Sequence, residues 1–201
     1  MELLSIFATL SFIFSTLAYV PYTISTLTSS TRPTLSTWLS WWIMDVAILA
    51  GMFVKGAVAL QMLAYVIGCA FVIGACLWRG ANVGWTKVDT ICMVFVLIAI
   101  VLWALSGDAN FAIVLSLSAV LIGCVPMLKN ILKDPAREPL FPWILVMVGG
   151  LFGIAAIPQW TIANALTPVV FAIIQVFFVI LISRKFLPSR NKTAARVLIQ
   201  D

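Results

Sequence analysis

The sequence predicts an all-α, polytopic membrane protein with seven transmembrane helices arranged 3+1+3, as two parallel three-helix repeats. Three observations predict it. Of the 201 residues, 63% are apolar and only 9% charged, where a soluble domain carries about a quarter charged residues. Apolar runs of about 17 to 25 residues, long enough to cross a hydrocarbon layer, recur along the chain. Finally, the segments that follow the first and the fifth run resemble one another at a constant offset of 105 residues.

The first apolar run covers residues 3–22. It begins with Glu2 where a secretory signal has a basic start, and it leads straight into further runs, so it reads as a retained helix. Runs 36–54 and 58–78 follow, divided by G-M-F-V-K-G-A with Lys55 at the turn. The remaining spans are 89–106, 110–128, 141–158 and 163–183. Pro168 interrupts the last and is expected to kink it, because proline lacks the backbone donor and clashes with the preceding turn.

Seven spans place the termini on opposite sides of the membrane. With the N-terminus outside, the inner segments hold Arg32; Arg79 and Lys87; Lys129, Lys133 and Arg137; then Arg184, Lys185, Arg190, Lys192 and Arg196. Lys55 alone lies outside. The positive-inside bias therefore predicts an integral protein of the plasma (bacterial inner) membrane, with the N-terminus outside and the C-terminus cytoplasmic. The net charge of +5 belongs to that bias and to headgroup contact by the basic tail, not to nucleic-acid binding.

The repeat reads Y-V-P-Y-T-I-S-T-L-T-S-S-T-R-P-T-L-S-T-W at 19–38 and C-V-P-M-L-K-N-I-L-K-D-P-A-R-E-P-L-F-P-W at 124–143. Val20/Val125, Pro21/Pro126, Leu27/Leu132, Arg32/Arg137, Leu35/Leu140 and Trp38/Trp143 coincide without a gap. The chain then divides into a first repeat at 1–80, a linker with the fourth helix at 81–108, a second repeat at 109–185 and a basic cytoplasmic tail at 186–201. The linker helix keeps two odd-numbered units parallel where they would otherwise be inverted.

This order, with a proline at the inner end of helices 1 and 5, resembles the SWEET and PQ-loop transporter superfamily. The likeness in motif covers residues 19–45 and 124–150. The family's Pro-Gln signature is replaced by Pro21-Tyr22 and Pro126-Met127, and Pro158-Gln159 lies at the outer end of helix 6. The chain thus resembles a divergent branch of small bacterial membrane proteins. The resemblance implies a sugar-like solute and a central site to which the third helix of each unit lends polar residues. On that basis Gln61, Tyr65, Asn164 and Gln175 are substrate-binding candidates. Pro21, Pro126 and Pro168 are helix-hinge candidates; for Pro21 and Pro126 the alternative is that each ends its helix before a polar loop.

Asp45 carries the strongest functional signal. It lies nine residues into the second run, near mid-membrane at 1.5 Å per residue, where a carboxylate faces a bundle interior or a water-filled cavity. Trp38, Trp42, Asp45 and Leu49 share one helical face. Trp38 reads as an interfacial anchor, and Trp42 either anchors or lines an inner vestibule. Asp45 is not repeated, because Gly150 stands at the corresponding position. Gly149 and Gly153 in helix 6, and Gly68, Cys69 and Gly74 in helix 3, offer close helix contact. Asp89 reads as a carboxylate at a helix N-terminus. The run K-N-I-L-K-D-P-A-R-E reads as a solvated inner loop; the alternative is a gate ion pair using Arg137 or Glu138.

These features predict a membrane transporter for a small neutral or polar solute, with proton linkage through Asp45. The alternative is a non-transporting membrane assembly or interaction protein of the same fold. The chain has no histidine, and Cys69, Cys76, Cys92 and Cys124 are scattered through apolar runs, so neither a metal site nor a cofactor is expected. Without a nucleophile elbow, paired carboxylates or a phosphate loop, an enzyme is not expected either. The implied partners are the lipid bilayer and a small-molecule solute; a homo-oligomer is permitted but not required.

Overall fold

A computed structural model describes residues 2–28, 31–54, 60–79, 85–107 and 109–186. Lys55 and the tail from residue 187, with Arg190, Lys192 and Arg196, lie outside the described residues. The described residues form helices α1 (Glu2–Leu27), α2 (Leu35–Val54), α3 (Leu60–Trp78), α4 (Lys87–Ser106), α5 (Ala109–Lys133), α6 (Leu140–Ala155) and α7 (Ile162–Ser183). Short 3-10 turns follow α5 at Pro135–Arg137 and α7 at Arg184–Phe186. The chain is all-α and polytopic in character: α1, α3, α4, α5 and α7 are long and apolar enough to cross a membrane. The apolar helix α6 has only 16 residues, about 24 Å at 1.5 Å per residue.

Polarity is inverted relative to a soluble protein. Ser11, Ser15, Thr37, Ser40, Asp45 and Gln175 are buried, while Leu17, Val20, Phe71, Phe95, Leu105 and Ile180 are exposed. That is the distribution expected where hydrocarbon is the solvent and hydrogen-bonding groups must find partners inside the bundle.

Helix α3 packs against both α1 and α2, and α7 packs against both α5 and α6. Helix α1 packs along α6, α2 along α5, and α4 lies against α5 and α2. The α1–α6 contact is close because glycine and serine face each other. A Cβ on Gly149 would stand 2.6 Å from Ser15 Oγ and 3.0 Å from the Ser15 backbone nitrogen. One on Gly153 would stand 3.2 Å from Ser11 Oγ. Gly68 is filled by the Tyr19 ring, whereas Gly74 faces open space, so the expected close approach holds at the first and not at the second.

Three helix ends depart from the expected boundaries. Helices α1 and α5 run through Pro21 and Pro126 to Leu27 and Lys133, so neither proline ends its helix. A proline in a helix withholds one N–H and frees one carbonyl a turn back. Past Pro21 the helix carries side-chain back-bonds as well: Ser25 Oγ and Thr26 Oγ1 both donate to the Tyr22 carbonyl, at 2.8 and 2.9 Å. Arg79 Nη1 then reaches the Thr26 carbonyl at 2.6 Å. Conversely, α6 stops at Ala155, short of the expected 158, because Pro158 follows. Pro168 lies inside α7, which continues to Ser183.

The ends of α1, α3, α5 and α7 and the starts of α2, α4 and α6 meet at one end of the bundle. Arg79 bonds the α1–α2 segment, and Lys185 Nζ donates to the Glu138 carbonyl at 3.1 Å. Ser36 on α2 bonds the Asp89 carboxylate. Asp89 forms a capping box with Thr86 at the start of α4, the role expected from its position. The expected inner-side residues Arg32, Arg79, Arg137 and Lys185 share this basic end.

Candidate functional site

The segment W-L-S-W-W-I-M-D opens α2 and sets the site. At 3.6 residues per turn, either Trp41 or Trp42 can join Trp38 and Asp45 on one face. The helix is turned so that Trp41 does. Its indole Nε1 donates to the Val120 carbonyl of α5 at 3.3 Å, and Trp38, Trp41 and Asp45 line one internal cavity. Trp42 faces instead a groove on the bundle's side, with Thr23 of α1 and Gly74 of α3. The expected vestibule tryptophan is therefore replaced by its neighbour. Leu49 is buried against Met62 and Tyr65, which closes the Asp45 face toward the other end as expected.

The cavity, of about 70 Å³, is walled by every helix except α4. It has room for a few waters or a small solute fragment. Asp45, 3% exposed, meets Tyr65 and Cys69 from α3 and Gln175 from α7 here. Tyr65 stacks on Phe171 of α7 with ring centroids 5.9 Å apart. Gln61 stands one turn from Tyr65 and donates to its hydroxyl at 2.8 Å, so it supports the cavity wall without lining it. Asn164 lies apart from the site. It is exposed at the start of α7, where its amide donates to the Gln159 carbonyl at 3.2 Å. Gln175 packs its Oε1 against Gly150, at a position where any Cβ would collide with it.

The cavity floor lies toward the basic end. Tyr22 OH donates to Glu138 Oε2 at 2.5 Å and accepts from Trp38 Nε1 at 3.1 Å. Trp143 Nε1 donates to the same carboxylate oxygen at 3.3 Å. Tyr22 and Trp38 meet edge to face with centroids 4.8 Å apart, and Trp41 meets Trp143 at 6.1 Å. Helices α1, α2 and α6 are thus tied at one point over a carboxylate that is 1% exposed. Burial pushes Glu138 up from 4.5 to about 7; the bonds from Tyr22 and Trp143 and the charges of Arg137 and Lys185 oppose that rise.

Glu138 corrects the expectation of a solvated loop for this run. The signal was available in its neighbours: after Arg137 the polar run gives way to E-P-L-F-P-W, a carboxylate facing apolar company. Tyr22, Trp41 and Trp143 are further site residues that sequence reasoning did not place. Tyr22 stands where the resembled family has glutamine, and it spends its hydroxyl on the floor.

The donors around the cavity are largely committed. Trp38, Trp41, Trp143 and Tyr22 donate to protein acceptors, and the Tyr19 hydroxyl pairs with Cys69 Sγ at 3.7 Å. Acceptors remain: Asp45 Oδ1 and Gln175 Oε1 are buried with no hydrogen-bond partner. The other Asp45 oxygen has only the Cys69 thiol, at 3.9 Å. A carboxyl group so placed is costly to leave bare and charged, and it calls for a proton or a ligand. Among the described residues no group of three metal-ligating side chains gathers. No family model, curated protein or solved structure matches this chain.

Proposed function

We propose that the protein is a membrane transporter for a small polar solute, which crosses through the cavity between two three-helix units, with Asp45 as the proton-linked group. The units are α1–α3 and α5–α7, parallel and joined by α4, so that all seven helices span the membrane. The basic end is cytoplasmic, by positive-inside bias. On this reading the chain is a divergent branch of the SWEET and PQ-loop superfamily without the Pro-Gln signature, and it is not an enzyme.

The observation that carries the reading is the convergence of Asp45, Tyr65 and Gln175 on one cavity from α2, α3 and α7. The packing supports it: exchanging α1 with α5, α2 with α6 and α3 with α7 maps the α1–α3, α2–α3 and α1–α6 contacts onto α5–α7, α6–α7 and α2–α5. Such a pseudo-two-fold pair can rock about its shared interface, and Pro21, Pro126 and Pro168 supply points of weakness within three of the helices. The Tyr22–Glu138–Trp143 tie then serves as the cytoplasmic gate in its closed position.

Uptake by proteoliposomes tests the reading. Purified protein should support saturable entry of a screened polar solute, faster when a pH gradient is imposed. Asp45→Asn should abolish the response to the gradient, and Gln175→Leu should lower uptake. Uptake in no solute class by correctly folded protein would end the transport reading and favour an assembly role.

A further inference from the structure

We propose that the cavity is built for a small organic cation bearing N–H donors, an ammonium or guanidinium group, rather than for a neutral sugar-like solute. The inference rests on the transport reading and narrows its substrate class.

The argument is one of matching valences. Most hydrogen-bond donors on the wall are engaged: the indoles of Trp38 and Trp41 and the hydroxyl of Tyr22 donate to protein acceptors, and the Gln175 side chain pairs with the Tyr65 hydroxyl. What remains open is acceptor capacity at Asp45 Oδ1, on a cavity-lining side chain 3% exposed. A sugar brings hydroxyls that can donate to Asp45 but carries no charge to balance an ionised carboxylate. An anion would find no cationic partner, since among the described residues no lysine or arginine lines the cavity. A guanidinium or ammonium group only donates.

The remaining wall makes the same demand. Tyr19, Trp38, Trp41, Tyr65, Trp143 and Phe171 line the cavity. Aromatic ring faces carry negative electrostatic potential, and they attract cations most when water is excluded. Planar guanidinium also stacks on such rings. One carboxyl group then takes either a proton or the cation, but not both, which couples the movement of one to the opposite movement of the other. The groups that share the cavity with Asp45 are Tyr19 of α1, Cys69 and Tyr65 of α3 and Gln175 of α7, with Val120 and Val146 from α5 and α6. None brings a competing charge near neutral pH.

Guanidinium and urea form a matched probe pair, alike in size and planarity and different in charge. The full chain in detergent is titrated with millimolar guanidinium chloride, urea or sodium chloride, and the fluorescence of the cavity tryptophans is followed. Guanidinium should give a saturable change, urea and sodium none, and the apparent affinity should fall as the pH is lowered. Asp45→Asn should weaken guanidinium binding by at least about tenfold, the scale of a lost charge-assisted hydrogen bond. Asp45→Glu, which keeps the charge, should retain binding and guards against a variant that fails merely by misfolding. Equal titration by urea, or binding indifferent to Asp45→Asn, overturns the inference. Transport of a neutral solute without guanidinium binding would overturn it while leaving the transport reading intact. Guanidinium binding without flux in proteoliposomes would uphold the site and end that reading.

Discussion

The backbone N–H of Arg32 donates to the carbonyl of Arg137 at 2.9 Å. These two residues are counterparts in the 105-residue repeat, and they meet each other rather than different neighbours. Counterparts touch only near the axis that relates them. On the transport reading, this junction is where the two halves would part at the basic end.

If that end opens during transport, a covalent link across the junction must stop it. Arg32→Cys with Arg137→Cys, in a background with the four native cysteines replaced by alanine, should cross-link under mild oxidation. Proteoliposome uptake should fall nearly to background and return on reduction. Full uptake by the oxidised protein would show that the junction does not separate in the cycle.

Glu138 makes stability depend on pH, and the sign follows from its environment. Its ordinary value is 4.5 and its folded value about 7, so between those points the folded protein holds a proton that the unfolded chain has released. Stability therefore falls as pH rises from 4.5 to about 7 and levels off above it; two and a half pH units amount to about 3 kcal/mol. Thermal unfolding in detergent should show the decline, and Glu138→Gln should flatten it. An equally steep profile in the variant would place the titrating group elsewhere.

Three glycines should respond differently to the same small change. Gly149→Ala pushes a methyl group into Ser15 Oγ and the α1 backbone, and overpacking of this kind costs about 1–3 kcal/mol. Gly150→Ala displaces the Gln175 amide, so uptake should fall more than stability does. Gly74→Ala meets nothing within 4 Å and should gain up to about 1 kcal/mol from helix propensity. Melting temperature and uptake, measured together on all three variants, separate packing from site geometry.

The sequence announces what depends on composition and near-neighbour spacing. Asp45 stands out because a carboxylate in an apolar run has few harmless explanations, and Gly149 and Gly153 announce a close contact by their spacing. What stays hidden depends on rotation and on distant partners. Trp41 and Trp42 fit the α2 periodicity equally well, and only the Val120 carbonyl on α5 decides between them. Ser11 and Ser15 look like ordinary polar interruptions until α6 is laid against them. Glu138 was hidden by company: five charged residues between 129 and 138 suggest solvent, while its burial comes from Tyr22, 116 residues away in sequence.

Tyr22 gives the sharpest test of the cavity floor, because one hydroxyl holds two partners. Tyr22→Phe removes the donor to Glu138 and the acceptor of Trp38 Nε1, which costs about 1–3 kcal/mol for the buried group left unpaired. The ring remains, so the edge-to-face contact with Trp38 survives and the fold is kept. The lost energy should appear as easier opening of the floor from the basic side. Cys69, 2% exposed within the cavity wall, reports that opening when Cys76, Cys92 and Cys124 are replaced by alanine. A maleimide reagent presented at the basic end should label Cys69 several-fold faster in Tyr22→Phe, by at least about fivefold for 1 kcal/mol at 25 °C. Labelling from the opposite end should be unchanged. Equal rates in both proteins would mean that the Tyr22–Glu138 bond braces the bundle without gating it.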